Sequence, residues 1–222
     1  MKNILKVVYT TIAMACLSTS SFADSGNFSG FYAAVGGSAA GAELDGSYTS
    51  NEGVVSKGTG GKIATVGALD LGYNFALGST MFVSLGGSWT PGEVTVGKAD
   101  DAANAADVTL KADEFITLYI QPSMMVSDNT ALFAKLGHSE ADLKVTGDFT
   151  GSASSTLEGH TVSFGSKTVF ASGAYIQSEA GITEYDGIVV NDIGTTNQNG
   201  KTGSAKADPS LAFGTITVGY KF

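Results

Sequence analysis

The chain has 222 residues and a formal net charge of −9, and all twelve basic residues are lysines. This acidic balance excludes the positive surface that nucleic-acid binding requires. Beyond residue 23 there is no run of eighteen apolar residues, so the sequence predicts one all-β domain rather than membrane-spanning helices.

The first 23 residues have the organisation of an export signal. Two lysines are followed by a mostly apolar stretch over 7–17 and then by Ser21-Phe22-Ala23, with small residues at the positions that a signal peptidase recognises. We therefore predict cleavage between Ala23 and Asp24, which leaves residues 24–222 as the mature domain. Because the removed segment contains both of those lysines and no acidic residue, the mature net charge becomes −11.

Cys16 is the one cysteine of the chain and allows an alternative, cleavage as a lipoprotein. Alanine stands three residues before it, where such sites usually have leucine. Cleavage after Ala23 removes this thiol, so the mature chain would contain neither disulfides nor thiol chemistry.

Eight segments of the mature chain have the two-residue alternation of half-buried β-strands. In 62–75, the residues from Ile63 to Phe75 at odd positions are mostly apolar, whereas the even positions include Asp70 and Asn74. The predicted strands are 27–40, 61–76, 80–96, 107–123, 130–145, 159–171, 174–188 and 208–222.

A weak internal repeat fixes the register of two of these strands. Residues 82–88 (FVSLGGS) align with residues 133–139 (FAKLGHS), so Leu85 and Leu136 are expected on the same outer face. Lys135 then points into the interior. Gly78, in the short connection before the first copy, is available for a positive φ.

The last predicted strand has the clearest alternation. Its apolar outward positions end in the set that we assign to the barrel-assembly strand: Ile216, Val218, Tyr220 and Phe222. The opposite face carries Thr215, Thr217 and Lys221, as expected when one face meets lipid and the other a polar interior.

Short and long connections alternate along the chain. Short ones are predicted near 77–79, 124–129 and 172–173, and long polar ones near 41–60, 97–106, 146–158 and 189–207. This alternation is typical of an eight-stranded antiparallel up-and-down transmembrane β-barrel with tight periplasmic turns and external loops. Since unpaired backbone groups in hydrocarbon cost several kcal/mol each, the eighth strand must pair with the first.

Two further sets follow from this topology. Aromatic residues at both ends of the outer face predict girdles at the two membrane interfaces. Charged residues at inward positions predict a paired polar network in the lumen, because an eight-stranded barrel is just wide enough to be filled by its own side chains. The girdle set is Phe31, Tyr73, Phe75, Trp89 and Tyr185, and the lumen set is Asp70, Asp113, Lys135, Lys167 and Glu179.

The motifs resemble a known family. The segments 30–37 (GFYAAVGG), 132–137 (LFAKLG) and 218–222 (VGYKF) together resemble the short, barrel-only members of the OmpA-like or opacity-type outer-membrane β-barrel family. The resemblance implies a bacterial outer-membrane location and recognition of the C-terminal strand by the barrel-insertion machinery. In this family such loops can mediate adhesion.

His138, Ser139 and Glu140 suggest a hydrolase, but neighbouring residues on a strand point to opposite faces. We therefore predict no catalytic residue, no cofactor and no metal site, and we read His160 as a rim residue. The leading hypothesis is a non-enzymatic, monomeric barrel in outer-membrane lipid that displays four long external loops to a surface ligand. A narrow passive pore and a lipid-modifying enzyme are the alternatives.

Overall fold

The computed structural model describes residues 25–101, 106–147, 154–193, 200 and 202–222. Nearly all of them are in β-strands, after one 3-10 turn at Ser25–Phe28. The strands are β1 (Gly30–Thr49), β2 (Val55–Leu77), β3 (Met81–Thr90), β4 (Val94–Asp101), β5 (Ala106–Met125), β6 (Thr130–Gly147), β7 (Ser154–Val169), β8 (Ala174–Tyr185), β9 (Ile188–Ile193) and β10 (Gly203–Lys221).

The strands form a closed antiparallel barrel. The strands pair in the order β1-β2-β3-β5-β6-β7-β8-β10, with β4 beside β5 and β9 beside β10. β10 closes the barrel against β1 in a continuous register from Tyr32↔Lys221 to Thr49↔Ser204. The predicted pairing of the last strand with the first is therefore confirmed. With it, an eight-stranded antiparallel up-and-down barrel is confirmed as the fold.

Two of the eight barrel strands are interrupted, which accounts for the ten segments. The third consists of β3 and β4, separated at Pro91-Gly92, where Gly92 has a φ of 111°. The seventh consists of β8 and β9, separated at Asp186-Gly187. Among the described residues, the second part of each pairs with one neighbouring strand, β4 with β5 and β9 with β10.

The two ends of the barrel differ in their connections. Three tight turns at 78–80, 126–129 and 170–173 define what we call the turn end, and Gly78 there has the predicted positive φ of 78°. The other end, which we call the hairpin end, contains long strand extensions. Residues 41–60 were predicted as a loop, and this is wrong: β1 and β2 pair as far as Thr49↔Val55, leaving only 50–54 as a turn.

The same correction applies to the other three predicted long loops. Within 97–106, β4 extends to Asp101 and β5 begins at Ala106. β6 continues to Gly147, and β9 occupies the first part of 189–207. The polar composition of these segments favours loops locally, but each pairs in register with a neighbouring strand. Pairing supplies the backbone hydrogen bonds that water would otherwise provide.

Side chains alternate between the two faces as the sequence predicted. On β2, Ile63, Leu71 and Phe75 point outward and are exposed, whereas Asn74 is buried inside. On β10, Ile216, Val218, Tyr220 and Phe222 are likewise exposed on the outer face. Together such residues form an apolar belt around the barrel. Among the described residues, no helix has the length and apolar character needed to cross a membrane.

Candidate functional site: the filled lumen and the divided hairpin end

A cluster of apolar side chains around Phe28 and Phe82, called the cork below, fills the lumen at the turn end. The 3-10 turn carries Phe28, which is fully buried and stacks on Phe82 with 4.8 Å between ring centroids. The turn is fastened by Ser25, whose Oγ donates to the carbonyl of Gly78 at 2.6 Å, and by Asn74, whose Nδ2 donates to the carbonyl of Phe28 at 2.7 Å. Residues 27 and 28 were predicted as the start of the first strand, and this is wrong, because they belong to the 3-10 turn.

A layer of charged side chains lies next to the cork in the middle of the barrel. Lys135 Nζ donates to Glu179 Oε2 at 2.6 Å, and both side chains are buried. Glu179 also accepts from Ser163 Oγ at 2.6 Å and from Gln177 Nε2 at 3.2 Å. The buried pair is thus compensated by hydrogen bonds, which is the condition under which buried ions are tolerated.

Asp70 belongs to the same layer. Its Oδ1 accepts from the Tyr119 hydroxyl at 2.6 Å, and the Tyr119 and Tyr32 hydroxyl oxygens are 2.6 Å apart. Gly86 makes this arrangement sterically feasible, because a Cβ atom there would lie 2.5 Å from the Tyr32 hydroxyl and 2.6 Å from that of Tyr119.

Lys167 completes the layer. Its buried ammonium lies 4.4 Å from the ring centroid of Tyr32 and 4.6 Å from that of Tyr175, in cation–π geometry. The layer therefore contains two ammonium and two carboxylate side chains, Lys135, Lys167, Asp70 and Glu179. The structure brings these four predicted lumen residues into the interior.

Asp113, the fifth residue predicted for the lumen, lies on the outer surface, so that prediction is wrong. A bulge changes the β5–β6 register between Asp113↔Asp142 and Ile116↔Glu140, and Glu114 there has a φ of 53°. The extra residue reverses the alternation for the part of β5 before it. Asp113 accepts a hydrogen bond from exposed Lys144, and this contact raises the pKa of the lysine above its ordinary value.

On the other side of the charge layer, hydroxyl groups form a ladder across four strands. Thr117, Ser139, Thr161 and Thr183 are linked in that order by oxygen–oxygen distances of 2.7, 2.6 and 2.7 Å. On β1 the lining is made of small side chains, Gly36, Ser38, Ala40 and Ala42, and a cavity of about 140 Å³ remains in the lumen. A cavity of this size with polar groups has room for water.

Three residues of the predicted aromatic girdle lie together on the outer face at the turn end. Phe31 and Phe75 both contact Tyr73, with ring centroids 4.7 and 4.5 Å apart, on the outer face. Trp89 is also outward and donates from Nε1 to Glu114 Oε2 at 3.1 Å. Tyr185 was predicted in the second girdle, and this is wrong: it lines the lumen, since it shares the parity of inward Glu179 and Thr183.

The histidine candidates lie on the outer face. His138 is exposed, whereas Ser139 is buried in the hydroxyl ladder, so their side chains are on opposite sides of the barrel wall. His160 is paired directly with His138 across β6 and β7, with 5.6 Å between ring centroids. Within the described residues, no group of three or more metal-ligating side chains is placed to hold an ion.

At the hairpin end the barrel divides into two sheets. Pairing between β2 and β3 begins at Leu69↔Trp89, and pairing between β7 and β8 ends at Gly159↔Tyr185. Beyond these points one sheet has the order β2-β1-β10-β9 and the other has the order β4-β5-β6-β7. Only one backbone bond, from Asp186 N to Glu158 O at 2.8 Å, joins them at the second division among the described residues.

The predicted signal cleavage site, Ala23 and Asp24, lies outside the described residues. Phe222, the last residue of the predicted assembly strand, donates its backbone N–H to the carbonyl of Phe31 at 2.8 Å. This bond continues the β1–β10 closure to the end of β10.

Comparisons with solved structures return outer-membrane proteins. The attachment invasion locus protein Ail of Yersinia pestis is 14% identical, with 87% of this chain and 99% of that chain covered and a TM-score of 0.45. Neisserial surface protein A is 15% identical, with 87% and 98% covered and a TM-score of 0.40. The outer membrane protease OmpT of Escherichia coli is 10% identical, with 92% and 99% covered and a TM-score of 0.46.

No protein-family model and no curated sequence matches the chain. The identities and TM-scores of the structural neighbours are too low for any function to be carried over from them. The class that the fold defines is a small, closed antiparallel β-barrel with an apolar outer belt and a filled lumen.

Proposed function

We propose that the protein is a non-enzymatic barrel of a bacterial outer membrane, and that it displays its divided hairpin end at the cell surface as an interaction or adhesion surface. The observation that carries this proposal is the inversion of the usual pattern of burial. Leu71, Ile63 and Val35 are exposed on the outside, while Lys135 and Glu179 are buried inside. A barrel with this arrangement is stable when lipid covers its outer face.

The location is tested by cell fractionation and by gel migration before and after heating. We expect the protein in the outer-membrane fraction, with folded protein migrating differently from heated protein. Recovery of a soluble periplasmic protein without a migration shift would contradict the membrane assignment.

The orientation is tested with single cysteines at exposed positions of the two ends. We expect Val55→Cys, at the hairpin end, to react with a membrane-impermeant maleimide on intact cells. Asp128→Cys, in an exposed tight turn, should react only after the outer membrane is permeabilised. The wild-type chain gives the background, and the opposite labelling pattern would show that the hairpin end does not face outward.

The lumen supports a structural role rather than a steady pore. The cork around Phe28 and the layer around Lys135 and Glu179 lie across the interior, and buried ion pairs of this kind are costly to separate. We expect no steady openings in planar-bilayer recordings of the refolded protein. Steady openings would favour the pore alternative instead.

Absence of catalysis is part of the proposal and has its own test. The side chains of His138 and Ser139 are separated by the barrel wall, so the histidine cannot act as base for that hydroxyl. We expect alanine at His138 and at His160 to leave the lipid A mass profile of expressing cells unchanged. A profile that depends on either histidine would support an enzyme.

A further inference from the structure

The lumen is filled unevenly along the barrel. At the turn end the cork occupies the interior with large side chains, of which Phe28 and Phe82 are fully buried. Beyond the charge layer the cavity of about 140 Å³ remains, because the inward positions of β2 there carry Ala64, Val66 and Ala68 rather than large side chains. An eight-stranded barrel can be packed solid or can hold one small ligand, and this barrel has room for one.

The size and the walls of the cavity select a small molecule with an apolar body. A cavity of roughly 150 Å³ with apolar walls accommodates one benzene ring. Here the walls toward the hairpin end are also apolar, since Phe115, Leu157 and Leu211 line the cavity and pack in an apolar cluster there. A single ring or a short alkyl chain therefore fits, whereas a nucleotide or a folded peptide is too large.

The charge layer forms the floor of this cavity and makes it acidic. One ammonium and two carboxylates of the layer line the cavity, and they belong to Lys135, Asp70 and Glu179. The other ammonium, that of Lys167, instead lies against two tyrosine rings. Because Lys135 and Glu179 neutralise each other as an ion pair, the net negative charge of the cavity comes from Asp70.

Asp70 is only partly satisfied by the protein. Its Oδ1 accepts from the Tyr119 hydroxyl at 2.6 Å. Its Oδ2 has no hydrogen-bond or ion-pair partner among the described residues, and the side chain lines the cavity. A carboxylate that keeps a free acceptor in an apolar-walled space is poorly solvated, so it favours a ligand that brings both N–H donors and positive charge.

We propose that this cavity binds a small organic cation, a primary amine whose ammonium group bonds to Asp70 and whose apolar body lies against Phe115 and Leu157. The cork closes the turn end, so the ligand enters from the hairpin end. The chain's net charge of −9 concentrates cations around it, whereas a carboxylate ligand would meet Asp70 and Glu179 as like charges. The proposal concerns the lumen and does not depend on the proposed surface display.

The test uses the full barrel in lipid nanodiscs and three probes of similar size, benzylamine, benzyl alcohol and benzoate. Calorimetric titration measures the affinity of each probe, and titration of empty nanodiscs gives the partition into lipid that is subtracted. We expect benzylamine to bind about tenfold or more tightly than benzyl alcohol, because its hydrogen bond to the carboxylate is assisted by charge on both sides. Benzoate should not bind measurably.

Substitution of Asp70 tests the contribution of its charge. Asp70→Asn keeps an oxygen that can accept from Tyr119 but removes the negative charge. It should weaken benzylamine binding by about tenfold or more and change benzyl alcohol binding by less than about twofold. Asp128→Asn is the matched control, since it removes an exposed carboxylate from a tight turn at the other end, and it should change neither affinity by more than about twofold.

A second variant tests the location and keeps Asp70 intact. Ala68 lines the cavity on the same face of β2, two residues before Asp70, so Ala68→Leu takes up space that the ligand needs. It should weaken benzylamine and benzyl alcohol alike, by about tenfold or more. Ala180→Leu adds the same side chain to the exposed outer face and should change neither affinity by more than about twofold. Heat-modifiable migration of each variant establishes that its barrel is folded.

Absence of benzylamine binding to the wild-type barrel, or equal binding of the three probes, would overturn the cation site. Unchanged benzylamine affinity in folded Asp70→Asn or in folded Ala68→Leu would overturn it as well. If Asp70→Asn does not fold, the probe comparison and Ala68→Leu decide the proposal. None of these results bears on membrane location or orientation, which fractionation and cysteine labelling test independently.

Discussion

At the turn end and in the middle of the barrel, eight paired strands surround a lumen filled by the Phe28 cork and by the charge layer that includes Lys135 and Glu179. At the hairpin end, the same strands continue but separate into two sheets, β2-β1-β10-β9 and β4-β5-β6-β7. The difference shows how one barrel combines two requirements. Lipid demands that every backbone group be paired within the belt, whereas water beyond the belt can satisfy groups that are left unpaired.

The largest expected effect is at the charge layer. Lys135→Met leaves Glu179 buried without its cation, and we expect the free energy of unfolding to fall by about 3–5 kcal/mol. Urea unfolding in lipid vesicles measures it. The double variant Lys135→Met with Glu179→Gln should recover much of the loss. Lys144→Met removes the lysine that is paired with Asp113 on the outer face and should lower the unfolding midpoint far less, because water screens an exposed ion pair. Equal changes of the unfolding midpoint in Lys135→Met and Lys144→Met would show that the lumen pair is no more important for stability than a surface lysine.

The cork should be nearly as sensitive. Phe82→Ala removes a fully buried ring that stacks on Phe28, and we expect a loss of about 3–4 kcal/mol from lost contacts and the resulting gap. Phe170→Ala is the control, because that ring is exposed in a tight turn at the same end. A loss as small as that of the control would show that the cork does not contribute to barrel stability.

The boundary between belt and hairpin end can be tested by placing the same charge on either side of it. Leu71 is 62% exposed in the belt and Val55 is 57% exposed at the hairpin end. Leu71→Lys should cost about 2–4 kcal/mol in lipid, because it brings an ammonium to the lipid face. Val55→Lys should change the stability by less than about 0.5 kcal/mol, as surface substitutions usually do. If the two variants lost comparable stability, the boundary of the lipid-facing belt would not lie between Leu71 and Val55.

The smallest effect concerns the bulge on β5. Glu114 has a positive φ of 53°, which is unfavourable for a residue with a side chain, so Glu114→Gly should raise the stability by about 0.5 kcal/mol. Glu140 lies on the adjacent strand and does not have a positive φ. Glu140→Gly should therefore lower the stability by about 0.5–1 kcal/mol. Chemical unfolding of both variants under the same conditions measures the two changes in the free energy of unfolding. Changes in the same direction would argue against backbone strain at the bulge.

Sequence reasoning was most accurate within the belt. Alternation around Ile63–Phe75 and Ala212–Phe222 predicted the strands, their faces and the closure, because lipid on one side and a packed lumen on the other impose a two-residue period. Lys135 and Glu179 were predicted in the lumen from the same period. Their mutual distance of 2.6 Å was not predictable, since it depends on register across strands that are not adjacent in sequence.

The errors have two physical sources. Beyond the belt both faces meet water, so the segment 41–60 shows no apolar alternation even though it is mostly strand. Within β5, a single inserted residue at Glu114 reversed the face of Asp113, and nothing in the local sequence marks that insertion. The error at Tyr185 was avoidable. Tyr185 lies an even number of residues after Glu179 on the same strand, so the two-residue period already indicated an inward side chain.

The β1–β10 closure has a consequence for how the protein is made. Tyr32 pairs with Lys221, so the first strand has no partner on one side until β10 has been synthesised. Loop-closure entropy makes such distant pairing slow, and in the meantime the chain carries uncovered apolar strands. Closure of the barrel is therefore expected to be a single late event rather than strand-by-strand growth.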